Sequence, residues 1–243
     1  MKERLISLLY PRRCPVCGGI VAKNGGKSFL ICQECVDKLS PVCQPVCKRC
    51  GKEVLGSRTE FCPDCLRHPK TFDGGAALFN YNDAARSSMA AVKYKNKREY
   101  LDFYSQAIVS RYGKWLSFLK PDSLVPVPVH PSRRRKRGFN QAEEMAVRMS
   151  SLTGIPVEAD LLIRVRKTLP QKELNPTERL KNLSSAFALG PFYKMHPEKL
   201  PRCVILIDDI YTTGSTMEAC TRILKGAGVK KVYVMSICIG KGR

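Results

Sequence analysis

The chain has 243 residues and a formal net charge of +21, from 42 Lys and Arg against 21 Asp and Glu. That length suits one sizeable domain plus a small one, with ordinary apolar content for a packed core and no stretch near the ~20 apolar residues of a membrane span. The charge favours a polyanionic partner, most often nucleic acid, over a basic housekeeping protein or one that simply binds phosphorylated small molecules.

At the amino terminus, the apolar patch Leu5 to Leu9 is shorter than a signal-peptide core, and Tyr10-Pro11-Arg12-Arg13 is no small-residue cleavage site. A cytoplasmic location is expected, the inner face of the membrane included. Nine of the twelve cysteines lie between Cys14 and Cys65; Cys203, Cys220 and Cys238 are scattered among apolar residues and read as core thiols. The clustered ones form two CxxC…CxxC sets, Cys14, Cys17, Cys32 and Cys35, then Cys47, Cys50, Cys62 and Cys65, with 14 and 11 residues between the pairs. CxxC in a tight turn puts two thiolates on one side of a tetrahedral zinc, and a following Gly suits a knuckle that needs positive φ. One or two structural zinc ions are expected, holding a segment too small and polar to fold by itself. Cys43 competes for a place in the second set, and a redox CxxC pair is the functional alternative. Two closed Cys₄ sites would leave the charge at about +17.

After a Gly-Gly turn, residues 76–81 read as a strand. Asp83 to Lys95 follow as a helix with Met89, Val92 and Tyr94 facing inward, and Lys93, Lys95, Lys97 and Arg98 on and near it. Apolar spacing over 101–119 suits a long amphipathic helix with Trp115 in the core. Residues 124–129 then read as a strand stopped by prolines. A loop follows with five adjacent cations, Arg133, Arg134, Arg135, Lys136 and Arg137, which repel one another unless an anion is near. Gly138-Phe-Asn-Gln141 turns the chain into a helix from Ala142 to Met149. Arg164 to Lys172 form a second basic segment, broken at Thr168-Leu-Pro170 and suited to an arm covering a site.

Near the end, Val204-Ile-Leu-Ile207 reads as a strand buried on both faces of a parallel sheet. Asp208 and Asp209 sit at its carboxyl end, where open α/β sheets bind ligands, and adjacent buried carboxylates are costly unless something uses them. Thr212, Thr213, Gly214, Ser215 and Thr216 can aim N–H groups and hydroxyls at an anion at the positive end of the next helix. Acids for a diol beside a turn for a phosphate describe a sugar phosphate. A further strand is expected at 230–238.

The segment Val204 to Thr216 resembles the loop of type I phosphoribosyltransferases that binds phosphoribosyl pyrophosphate (PRPP). The whole order of motifs, from the cysteines through Val125-Pro-Val-Pro128, Arg137-Gly-Phe-Asn-Gln141, Thr168-Leu-Pro-Gln171, Glu178-Arg179 and Asn182 to Ile207-Asp-Asp-Ile-Tyr-Thr-Thr-Gly-Ser-Thr216, resembles the ComF (ComFC) family of competence proteins. The resemblance implies a type I phosphoribosyltransferase-like α/β domain over 71–243, with a twisted, mostly parallel sheet and helices on both faces, and a small zinc-binding module over 1–70 packed on it as a separate lobe. By the same resemblance, Asp208 and Asp209 would hold the ribose hydroxyls and Thr212 to Thr216 the 5′-phosphate. Val127, Pro128, Val129 and His130 would form the pyrophosphate loop, and Arg166, Lys167 and Lys172 would close over it. Mg²⁺ would arrive with PRPP, bridging its oxygens. The implied partners are imported single-stranded DNA and uptake-machinery proteins such as a helicase or recombination mediator. Three functions stay open: a DNA-uptake factor with a working PRPP site, an active phosphoribosyltransferase with an unidentified acceptor, and a zinc-containing single-strand-binding adaptor whose pocket is a relic.

Overall fold

The computed structural model describes residues 11–21, 23–24, 27–28, 30–166 and 185–240. In the cysteine-rich start, a hairpin of β1 (Lys23–Asn24) and β2 (Lys27–Ser28) separates the first CxxC from helix α1 (Gln33–Val36). Strand β3 (Ser40–Pro41) precedes the second set, which ends on helix α2 (Pro63–Arg67). Then come β4 (Gly74–Asn80), α3 (Asp83–Lys95), α4 (Tyr100–Leu119), β5 (Ser123–Pro126), α5 (Pro131–Arg137) and α6 (Gln141–Thr153). A hairpin of β6 (Leu162–Arg164) and β7 (Phe187–Leu189) leads to α7 (Pro191–Met195), β8 (Cys203–Tyr211), α8 (Ser215–Ala227) and β9 (Lys231–Ile239).

The main sheet has the order β3-β4-β9-β8-β5. Its four long members are parallel, and β3 adds an antiparallel edge through Ser40 opposite Asn80. Side chains of a strand alternate between faces, and β8 shows what that does here. Val204 and Leu206 enter one core with Phe72, β6, β7 and α8; Ile205 and Ile207 enter the other with α3, α4 and α6. Burial on both sides is why β8 reads as a continuous apolar run rather than an alternating one. The expected mostly parallel sheet with helices on both faces is therefore present.

Four expectations need correction. The segment with five cations is helix α5, not a loop. Pro131 takes the first helical position, where no N–H is needed, His130 caps it by accepting from the Ser132 N–H at 3.2 Å, and Gly138 ends it at φ +81°. Tyr94 points outward and is 74% exposed, because a residue two after the buried Val92 lies on the far side of the helix. Strand β5 stops at Pro126, and β8 continues past its two acids to Tyr211, pairing Asp208 with Ser236 and Tyr211 with Ile239. Pro126 and Pro128 have no N–H to extend a ladder; nothing interrupts β8. Elsewhere the reading holds: Met89 and Val92 are buried, Trp115 packs edge-on against Tyr233 at 5.7 Å, and Cys220 and Cys238 are buried while Cys203 is partly so.

The second cysteine set is built into the sheet's core. Cys47, Cys50, Cys62 and Cys65 share one buried cluster with Phe72, Val204, Tyr211 and Met217. Its knuckle glycine, Gly51, has φ +77° and lies directly on β4, where an added Cβ would come within 2.7 Å of the Gly75 carbonyl. Gly56 has a similar φ of +82° but open space around it. Gly56→Ala should cost the left-handed strain alone, about 1–2 kcal/mol. Gly51→Ala should cost that plus about 1–3 kcal/mol of overpacking. Urea denaturation of the two variants tests this; equal losses would show that the knuckle is not pressed on the strand.

Candidate functional site

Each cysteine set joins a knuckle to the start of a short helix. In the first, Gly18 N–H donates to the Cys14 carbonyl at 2.9 Å with φ +74°; in the second, Gly51 N–H donates to Cys47 at 2.9 Å. The other two ligands bracket the helix start: Cys32 and Cys62 precede α1 and α2, and Cys35 and Cys65 lie within them. All four Sγ atoms of each set lie within 4.8 Å of one another. Cys17 and Cys32 are 3.8 Å apart at sulfur, and Cys50 and Cys62 are 3.7 Å apart. A tetrahedron with Zn–S bonds of ~2.3 Å has S···S edges of about 3.8 Å. Both sets thus fit structural zinc, with four thiolates and no open position. Cys43 is in neither set: it is exposed, and its Sγ–H faces the Pro41 carbonyl at 3.5 Å. The redox alternative has no separate dithiol to use, since each CxxC is half of a four-sulfur cluster.

The acid doublet sits near the carboxyl end of β8, and alternation sends its two side chains to opposite faces. Asp209 turns toward α3 and α6. Its Oδ2 is ion-paired with the Lys93 Nζ, its Oδ1 accepts from Gln141 Nε2 at 3.1 Å, and its side chain is only 7% exposed. Burial alone would push its carboxyl up, but Lys93 and then Gln141 hold it below the usual carboxylate range. Asp208 turns toward α8, within electrostatic reach of Arg164 and Cys220. One of its oxygens accepts from the Asp209 N–H at 2.9 Å. Burial, and then the neighbouring Asp209, push its carboxyl well above the ordinary value.

The turn that follows is held from below. Gly214 caps α8 at φ +73°, and an added Cβ would collide with the Tyr211 phenol, so only glycine fits. Tyr211 is buried, with Phe72 edge-on to its ring at 6.4 Å. Thr213 and Ser215 hydroxyls are 2.9 Å apart, Thr212 is exposed, and Thr216 is partly buried. The first N–H groups of the 13-residue α8 have no partners within the helix and face outward at its positive end. Glu218, buried in the first turn, accepts from the Thr71 N–H at 2.8 Å and from Arg222 Nε at 2.7 Å, tying α8 to the chain entering β4.

The expected pyrophosphate loop follows the neighbouring strand β5. Val127 is buried, its N–H donates to the Ile207 carbonyl at 2.9 Å, and its own carbonyl accepts from Asn140 Nδ2 at 3.1 Å; Pro128, Val129 and His130 are partly exposed. Of the cations on α5, Arg134 pairs with Glu143 at 2.9 Å, and Arg137 donates to Gln141 Oε1 at 2.8 Å and lies over the Tyr94 ring at 5.3 Å. Arg133, Arg135 and Lys136 are exposed and form no ion pair among the described residues. Arg166 is exposed; Lys167 and Lys172 lie outside the described residues.

Sequence reasoning missed Lys93 and Gln141 as members of the site. Gln141 closes a motif that had been singled out, but only the placement of α6 against β8 brings it to Asp209. Lys93 carried one usable signal: it follows the buried Val92 by one position and Met89 by four, so it borders the helix's inward face.

Comparison with known proteins defines the class first. Residues 5–66 match the double zinc ribbon domain and residues 125–242 the phosphoribosyl transferase domain. The chain is 28% identical to competence protein F of Haemophilus influenzae over 93% of its own length and 96% of that protein's. It is 28% identical to competence protein ComFC of Bacillus subtilis, over 82% and 79%, and 25% identical to the DNA utilization protein YhgH of Escherichia coli, over 86% and 89%. Over most of its length the chain is thus similar to competence protein F and ComFC proteins, with a double zinc ribbon domain followed by a phosphoribosyl transferase domain.

Two outcomes are expected. Ionised Asp208 costs stability because its folded-state carboxyl is raised; that penalty is absent below the unfolded carboxylate range and full above the folded value. Ionised Asp209, depressed by Lys93, contributes stability that is lost as pH falls through its folded value. At neutral pH, Asp208→Asn should therefore raise the thermal midpoint, and Asp209→Asn should lower stability by about 3 kcal/mol by stranding Lys93. Shifts of the same sign in calorimetric scans would show that the doublet is not split in this way. For the cysteines, purified protein should carry two zinc ions per chain, and Cys47→Ser should destabilise the phosphoribosyltransferase-like domain more than Cys17→Ser does, since only the second set lies in its core. Metal analysis with chemical denaturation checks both.

Proposed function

We propose that this protein is a DNA-uptake factor that handles incoming single-stranded DNA and carries a working PRPP site. The observation that carries the reading is one juxtaposition: an acid doublet near the end of a buried parallel strand, with four residues between it and the glycine that caps the next helix. Ribose hydroxyls donate to the carboxylates, and the 5′-phosphate sits on the Gly214 to Thr216 turn, where hydroxyls and free N–H groups meet the positive helix end. The pyrophosphate lies toward Val127 to His130 and the first turn of α5. Mg²⁺ would come with the ligand in this reading and would lower its charge. If transfer occurs, the bond from the ribose carbon to pyrophosphate breaks with its electron pair leaving on pyrophosphate, and the acceptor supplies the new pair. The acceptor site falls to groups near Arg164, whose guanidinium packs over Phe187 at 5.0 Å and whose field includes Asp208.

Support for the single-strand role comes from composition and one surface. The net charge is +21, and the relatives carry competence and DNA-utilization names. Arg133, Arg135 and Lys136 are exposed on α5, the helix whose Arg137 lies over the exposed ring of Tyr94. Cations for phosphates next to an exposed aromatic for a base are the parts that single-strand binding uses.

Calorimetry with Mg²⁺–PRPP should give binding to the wild type and none to Asp208→Asn/Asp209→Asn with its zinc intact; a wild type that binds no better than the double variant sinks the PRPP reading. For DNA, anisotropy with a labelled oligonucleotide should show affinity falling steeply with salt. Replacing Arg133, Arg135 and Lys136 together by Ala should flatten the log–log slope by about 2, since each phosphate contact on a single strand contributes ~0.7. Tyr94→Ala should weaken binding by about 1–3 kcal/mol without changing the slope.

A further inference from the structure

Lys93 stands out among the buried charges because nothing in the sequence motifs calls for it. It reaches the site from the last turn of α3, while the acids and the phosphate turn come from β8 and α8. Its side chain is 17% exposed and that of its partner Asp209 is 7% exposed. The second oxygen of Asp209 is taken by Gln141, whose Oε1 is in turn held by Arg137 at 2.8 Å. Three helices, α3, α5 and α6, thus converge on one carboxylate. Such an arrangement fixes the carboxylate's rotamer and its charge together, as supporting hydrogen bonds do for groups that must meet a ligand in one geometry.

We propose that Lys93 is a positioning residue of the sugar-phosphate site, acting on the ligand only through Asp209. This rests on the PRPP reading and assigns the control of its second carboxylate. Two adjacent acids in a site for a polyanion present a conflict: like charges so close disfavour joint ionisation, and together they repel the ligand. Lys93 removes one of the two charges from the balance and keeps Asp209 an acceptor. The groups that face Asp209 are Lys93 from α3, Asp208 from its own strand, Arg137 through Gln141 from α5 and α6, Tyr81 after β4, and Cys238 from β9. Without Lys93, burial favours a proton on Asp209, and that proton leaves as pH rises.

The test is calorimetric affinity for Mg²⁺–PRPP from about pH 6 to about pH 9, a range around the ordinary histidine value and clear of exposed carboxylates. Wild type should be flat apart from the ligand's own titration, which every variant shares. Lys93→Met should bind about ten- to hundredfold more weakly at low pH, the range for losing a hydrogen bond to a charged group, and should recover as pH rises. Lys93→Met/Asp209→Asn removes both charges and so avoids a stranded buried ion; it should bind weakly at every pH. Lys93→Arg keeps the cation and should restore a flat profile. A purely stabilising ion pair would instead lower the denaturation midpoint of Lys93→Met and leave its affinity unchanged or uniformly reduced. That result, or wild-type affinity in the double variant, overturns the role of Lys93 alone. A wild type that binds no Mg²⁺–PRPP overturns the PRPP reading, and this assignment with it.

Discussion

Strand β8 is the constraint on which the rest depends. It is buried on both faces, so its residues must serve two cores in strict alternation. Val204 and Leu206 belong to the core shared with the second ribbon and α8, and Ile205 and Ile207 to the core under α3, α4 and α6. The alternation does not stop where the polar residues begin. It carries Asp208 to one face and Asp209 to the other, and so gives two chemically identical side chains different neighbours and opposite proton affinities. An adjacent acid pair at the end of a half-exposed strand would have no such division.

The same strand explains why the second cysteine set cannot be treated as an appendage. Its four ligands are buried in the core that supports Tyr211, and Tyr211 in turn fills the space beneath Gly214. Arg49, inside the knuckle, donates to the Phe72 carbonyl, and Thr71 beside it binds Glu218 at the start of α8. The first set has a different attachment: Cys17 is exposed, and the nearby Arg12 reaches α4 through Asp102 at 3.7 Å. Two ribbons with the same ligand pattern therefore meet the rest of the chain in different ways, one with its ligands inside the core and one through Val16 and Ile31 at the edge of the other core and the Arg12 ion pair.

Much of this was legible in the residues. The CxxC spacing gave both metal clusters with the right partners, and the apolar run with its acids and glycine turn gave the strand, the turn and the helix after it. These signals are local: a knuckle, a buried strand and a capped helix each close within a dozen residues. What went wrong was also local, but turned on competition. Five adjacent cations look like a loop until Pro131, the His130 cap and Gly138 are counted together, because Arg and Lys are good helix formers once both ends are fixed. Tyr94 looks apolar enough for the core, yet its angular position on α3 sends it to solvent.

By itself the sequence determined the two four-cysteine sets, the strand with an acid pair near its end, the glycine-capped turn after it and the excess of positive charge, since each is written in local order or composition. Only the tertiary structure decided which acid keeps its charge, that Lys93 and Gln141 take up both oxygens of Asp209, and that one cysteine cluster lies in the sheet's core while the other does not. Those facts depend on which helix crosses which strand and at what register, and 116 residues of chain separate Lys93 from Asp209. No spacing rule spans that distance; the packing of α3 and α6 on the far face of β8 does.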